Sequence, residues 1–284
     1  MKKGGRFPCV MSGCGKGALL VTLALVVPLL SGCLGATDEG DTNSAVTMNV
    51  HYDATSGTVL ERVQNGQTLT MEGVELTFDF ARVTSTAGAI TLISLDPGDD
   101  DDGANTVTVN ANEQAQIAYE YQTHGLFTVT LMATDEQNNT GTMTLVVRID
   151  KTVEWVQTNT NEASTMSIDT NPDCDCGTPA HVEVNSTVTN RNNIVPPGAP
   201  ITVTWTLSDA ADGVRSSHSE QIGEGQSAEW NHREGNVNLG SWSLDVTQGQ
   251  NEAENLDISH TVHVTYEPME SEPNPLDQAG APSA

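Results

Sequence analysis

The sequence predicts an all-β protein, two antiparallel β-sandwiches in tandem behind an exported leader. Three observations carry that reading. Apolar residues after position 45 alternate with polar ones at period two, clusters of Gly, Asn and Asp punctuate them, and no stretch after Cys33 shows a helical apolar period. Alternation at period two buries one face of a strand. Short strands between turn residues, over about 100 residues at a time, are the pattern of a sandwich.

The leader comes first along the chain. Lys2, Lys3, Arg6 and Lys16 precede an uncharged run over residues 18–30, ALLVTLALVVPLL. A membrane-spanning helix needs about 20 apolar residues, whereas a secretory h-region behind a positive n-region needs about 7–15. The run fits the second. It ends in Leu30-Ser31-Gly32-Cys33, which resembles the lipobox of prokaryotic lipoproteins. That resemblance implies cleavage before Cys33 and lipid on its sulfur. The protein would then sit on the cell membrane facing the exterior, or the periplasm where the host has an outer membrane. The competing reading is an uncleaved signal anchor. Two chains on Cys33 anchor stably, since each buried CH₂ contributes about 0.8 kcal/mol and one chain binds only marginally. Residues 1–32 are thus expected to be a signal peptide. Residues 33–45, with ATDEGDTNSA free of any apolar period, are expected to be the lipidated cysteine and an acidic tether.

Charge narrows the partners. The chain has 38 acidic against 11 basic residues, a formal net charge of −27, and Lys151 is the sole lysine after the leader. Such a surface repels nucleic acid and anionic headgroups, so DNA and RNA are excluded as partners. An acidic, lysine-poor composition is also associated with saline exteriors, archaeal ones included. Aromatic residues make up 4% of the chain, so the cores must be assembled from Val, Ile, Leu and Met around a few large rings.

The first sandwich is expected over 46–150. Val46, Met48, Val50 and Tyr52 share a face, as do Leu76, Phe78 and Phe80, then Phe127, Val129, Leu131 and Ala133, then Met143, Leu145, Val147 and Ile149. Residues 118–149, AYEYQTHGLFTVTLMATDEQNNTGTMTLVVRI, resemble the closing half of a polycystic-kidney-disease-type (PKD) domain. Tyr119, Tyr121, Gly125, Phe127, Asp135 and Asn138 stand at that family's strand and turn positions. The family's Trp- and Phe-containing turn is replaced here by Ser94-Leu95-Asp96-Pro97-Gly98-Asp99. The resemblance covers about residues 70–150 and implies an Ig-like sandwich used at cell surfaces as a spacer or a protein- or glycan-contacting module. A second Ig-like sandwich is expected over 151–267, where Val182, Val184 and Val188 alternate, then Ile201, Val203, Trp205 and Leu207, then Trp242, Leu244 and Val246, then Ile258, Val262, Val264 and Tyr266. Residues 268–284, rich in Pro and acid, are expected to be a disordered tail.

Candidate chemistry is sparse. Asp96, Asp99, Asp100, Asp101 and Asp102 form the densest charge cluster, and oxygen ligands in a Gly-containing loop suit Ca²⁺, although the spacing is not that of an EF-hand. A solvated acidic turn is the competing reading. Cys174 and Cys176 remain in an exported chain once Cys33 is taken by lipid. Their spacing permits a local disulfide if a turn brings the Cα atoms within about 7 Å, and leaves open free thiols, intermolecular pairing or a soft metal. Seven scattered histidines form no metal motif and read as surface or strand-edge residues; no hydrolase, P-loop or dinucleotide motif is present. Asn138 and Asn185 open N-glycosylation triplets. Trp205 and Trp242 are in phase with aliphatic neighbours and read as core, whereas Trp230, in SAEWNHREGN, has polar company and is the candidate ligand contact. A non-catalytic module contacting a surface protein or glycan is the expected function. The alternatives are an envelope spacer with no dedicated ligand and an accessory lipoprotein of an uptake or enzyme complex.

Overall fold

A computed structural model describes residues 44–99, 103–192, 199–249 and 254–276. Cys33, Asp100, Asp101 and Asp102 lie outside them. Among the described residues the structure is all-β, with several antiparallel sheets and no helix. The first half contains β1 (Val46–Thr47), β2 (Ser56–Gln64), β3 (Gln67–Glu72), β4 (Val74–Asp79) and β5 (Thr84–Ser85). It continues with β6 (Ile90–Asp96), β7 (Val107–Asn110), β8 (Gln116–Tyr121) and β9 (Gly125–Asp135). A long strand, β10 (Thr140–Thr160), leads into β11 (Met166–Asp169), β12 (His181–Asn190), β13 (Ile201–Ser208) and β14 (Val214–Ile222). The last strands are β15 (Ser227–Glu234), β16 (Ser241–Gln248) and β17 (Leu256–Thr265).

Nine strands form the main sheet. Its order is β15-β12-β17-β10-β9-β6-β7, with β2 on the other edge of β10 and β3 beyond it. In the first half this sheet faces the β4–β8 and β1–β5 pairs; in the second it faces the sheet β11-β16-β13-β14. Each half has its own apolar core. Phe78, Tyr121, Phe127 and Leu131 lie at the centre of one, and Trp205, Trp242, Val184 and Val262 at the centre of the other.

The 21 residues of β10 serve both cores. At period two, Leu145, Val147 and Ile149 point into the first and Val153 and Trp155 into the second. On one edge the strand pairs antiparallel with β9 as far as Ile149 opposite Gly125, then with β17 from Lys151 opposite Val264. The opposite edge takes β2 in parallel, from Arg148 opposite Ser56 to Val156 opposite Gln64. The sequence-based division at 150/151 therefore falls inside one uninterrupted strand. At about 3.3 Å per residue, β10 spans roughly 70 Å.

Two expectations change. Residues 268–276, read as the start of a disordered tail, form a strap along the first half: Ser271 N–H donates to the Val146 carbonyl at 3.0 Å, and Asn274 pairs with Tyr52. Glu270 binds Arg148 through two contacts of 2.9 Å, and Asn274 Nδ2 donates to the Val50 carbonyl. Prolines keep the strap from becoming a full ladder strand, but its polar side chains supply the bonds instead. The histidine reading also changes, because His51, His124 and His260 are buried. His260 stacks on Trp155, with centroids 5.1 Å apart, and its Nδ1 lies 2.8 Å from Ser186 Oγ.

Ser186 is the hub of the second core's polar contacts. Trp205 Nε1–H donates to its Oγ at 2.8 Å, and His260 Nδ1 lies 2.8 Å from the same oxygen, so one hydroxyl serves both rings. Ser186→Ala removes both bonds and orphans a buried indole N–H. We expect a loss of about 1–3 kcal/mol, measured by denaturant unfolding at neutral pH.

Candidate functional site: the cleft between the two cores

Above the middle of β10, residues of both halves enclose a gap. The gap is a cleft of about 320 Å³ with Lys151 and Val59 at its floor. Gln122, Thr123 and His124 form one wall, from the turn joining β8 to β9; Asp169, Asn171 and Asp173 form the other, and Met71 of β3 stands at the rim.

Each ionisable group on the floor and inner wall has a partner. Lys151 occupies the odd position of β10 between the cores, so strand geometry aims it inward, beside Val59 of β2 and Val264 of β17. Its Nζ lies 3.0 Å from Glu61 of β2, and both side chains are mostly buried. His124, only 5% exposed, has Nδ1 2.8 Å from the Tyr266 hydroxyl. Burial pushes the His124 pKa down to about 4, with the Lys151 charge adding to the effect and Asp169 opposing it. Burial likewise raises Tyr266 above the ordinary phenol value. The phenol therefore stays protonated and donates to Nδ1, leaving the Nε2 proton for the main chain of Asp169.

The wall carrying Asp173 is held by the Cys174–Cys176 disulfide. This loop joins β11 to β12, both of the second half, yet it rests on the first. Cys174 packs against the first core, the Leu126 N–H points at Cys176 Sγ at 3.5 Å, and Asp173 N–H donates to the His124 carbonyl at 3.2 Å. A Cβ on residue 125 would lie 2.6 Å from Cys174 Sγ, which is why glycine opens β9. The arrangement suits holding a ligand by hydrogen bonds, since His124 is locked between two partners and Lys151 is ion-paired.

The other candidate residues lie elsewhere. Trp230 is a correction: it is 7% exposed and packs in the second core beside Trp205 and His232. Its polar neighbours Glu229 and Asn231 alternate outward on β15, while Ala228 and Trp230 point in. Trp155, Trp205 and Trp242 are buried as well. Asp96 Oδ1 accepts the Gly98 N–H at 3.0 Å, and Asp99 accepts from Asn105 and from the Tyr119 hydroxyl, so both shape their own loop. No cluster of three metal-ligating side chains occurs among the described residues. Asn138 is on an exposed turn with φ 61°, whereas Asn185 is half-buried in mid-strand between β15 and β17, a poor place for a glycan. Sequence reasoning missed the cleft. Its one local signal was Asn65-Gly66, whose positive φ values of 49° and 77° turn β2 into β3 and bring Met71 to the rim.

No protein-family model and no curated protein matches the chain. Solved structures provide weak likenesses. One is a carbohydrate-binding module of the β-sandwich superfamily, 13% identical with a TM-score of 0.27 over 80% of this chain and 94% of that one. A second is from the disulfide-linked pili of Bacillus endospore appendages, 12% identical with a TM-score of 0.24 over 42% and 88%. A third, from Clostridium perfringens ZmpB, contains CBM51-2 in complex with GlcNAc; it is 10% identical with a TM-score of 0.25 over 78% of this chain and 49% of that one.

Proposed function

We propose that the chain is a lipid-anchored, non-catalytic module of the cell surface, held by Cys33 and contacting a protein or glycan away from the membrane. The observation that carries this reading is the junction: a polar cleft of ligand size lies where one strand ties two cores into a single body. Its acid and base groups bind one another, which favours holding a ligand over transferring a proton. Pocket volumes of about 300–1,000 Å³ are usual for small-ligand sites. The anchor itself rests on the leader and the tetrapeptide at Cys33.

A spacer role is the second reading, favoured by β10, whose pairing on both edges stiffens the passage from one core to the other. The anchor is tested by intact mass of the membrane-extracted protein beside a Cys33→Ala variant. We expect wild type to begin at Cys33 with a lipid-sized increment, and the variant to be unprocessed or released. Retention of residues 1–32 in both, without lipid, would replace the lipoprotein reading with a signal anchor.

A further inference from the structure

We propose that the cleft over Lys151 binds a neutral sugar unit of a surface glycan, with the Lys151 ammonium donating to its hydroxyl oxygens. The proposal deepens the surface-module reading and rests on it. An ammonium has three donors. At Lys151 one is directed to Glu61, the single ion-pair partner it has among the described residues, and the side chain is only 14% exposed. The ammonium has further donors and lines the cleft, so a ligand oxygen entering there can accept from it.

Charge selects the kind of oxygen. Glu61 already neutralises Lys151, and the adjoining wall carries the carboxylates of Asp169 and Asp173, in a chain of net charge −27. A phosphate, sulfate or carboxylate entering this space meets like charge, whereas a hydroxyl does not. The wall also supplies what hydroxyls require. Asp173 accepts, Gln122 and Asn171 carry amides that both donate and accept, and Thr123 adds a hydroxyl. Met71, exposed at the rim, offers apolar surface to C–H groups. A molecule with many hydroxyls, some apolar C–H surface and no charge is a neutral sugar.

The test is ¹H–¹⁵N NMR of the full-length protein in detergent micelles, titrated at millimolar concentrations with glucose, galactose, mannose, N-acetylglucosamine and their neutral disaccharides, and separately with glucuronic acid. We expect at least one neutral sugar to shift the amides of residues 122–125 and 171–173, and glucuronic acid to bind more weakly. Lys151→Met should weaken binding at least tenfold. Because that variant strands Glu61 and risks misfolding, Asn171→Ala and Asp173→Ala on the exposed wall provide the parallel measurement, with several-fold losses expected. The proposal is overturned if no neutral sugar shifts these amides, if glucuronic acid binds best, or if binding survives all three substitutions. Lipidated Cys33 with an inert cleft would sink this proposal and leave the anchor standing; sugar binding without lipid would do the reverse.

Discussion

Val153→Pro will uncouple the two halves of the molecule. Val153 pairs with Val262 of β17 on one edge and with Glu61 of β2 on the other, and its side chain is buried in the second core. Proline has no N–H to donate, and it is accommodated at sheet edges and bulges rather than in a strand paired on both sides. Loss of the ladder bond, the orphaned acceptor and the displaced valine together cost on the order of 3–5 kcal/mol. The first core draws nothing from Val153 directly, so the loss falls on the second core and on its connection to the first. In calorimetry we expect the second core to melt earlier, giving two resolved transitions or a markedly broadened one where wild type melts more cooperatively. An unchanged midpoint and width would show that the continuous strand contributes neither stability nor coupling.

The same strand shows how much of this fold was legible in the sequence. The residues assigned to buried faces of β9 and β13, Phe127, Val129, Leu131 and Ala133, then Ile201, Val203, Trp205 and Leu207, are all buried. Period two is a local property, and it survives whatever the strand pairs with. Pairing itself was not legible, because β2 lies parallel to a segment some ninety residues away and no turn chemistry announces such a neighbour. Trp230 was misread by composition: its polar neighbours are real, but they occupy the other face of β15. The strap over 268–276 was misread in the same way, since proline and acid also suit a segment fixed by Arg148 and by Asn274. Nothing near His124 in sequence announces Tyr266, and the cleft depends on that distant contact together with the inward turn of Lys151.

Those buried histidines should make the protein acid-labile well above the carboxylate range. Burial lowers the pKa of both His124 and His260 to about 4, from an ordinary value near 6.5; Lys151 adds to the shift at His124, whereas burial alone accounts for His260. Below pH 6.5 the unfolded chain takes up a proton at each ring while the folded chain does not, so protonation favours unfolding. Their contribution is fully present above pH 6.5 and is lost progressively as pH falls toward 4, on the order of 3 kcal/mol for each ring. His181, lowered mainly by burial and then by Arg233, acts in the same direction. Carboxylates held low, such as Asp135 at about 2 beside the Ser85 hydroxyl, lose their contribution only at lower pH. We therefore expect thermal midpoints to fall steadily between pH 6.5 and 4.5. His124→Gln and His260→Gln should each be less stable at pH 7 and have a shallower slope through that window, with the double variant keeping only the lesser slope that His181 leaves. If wild type keeps its midpoint down to pH 4.5, the two rings are protonated without penalty and their placement in the interior cannot be as described. A slope undiminished in the double variant would instead assign the acid response to the remaining histidines.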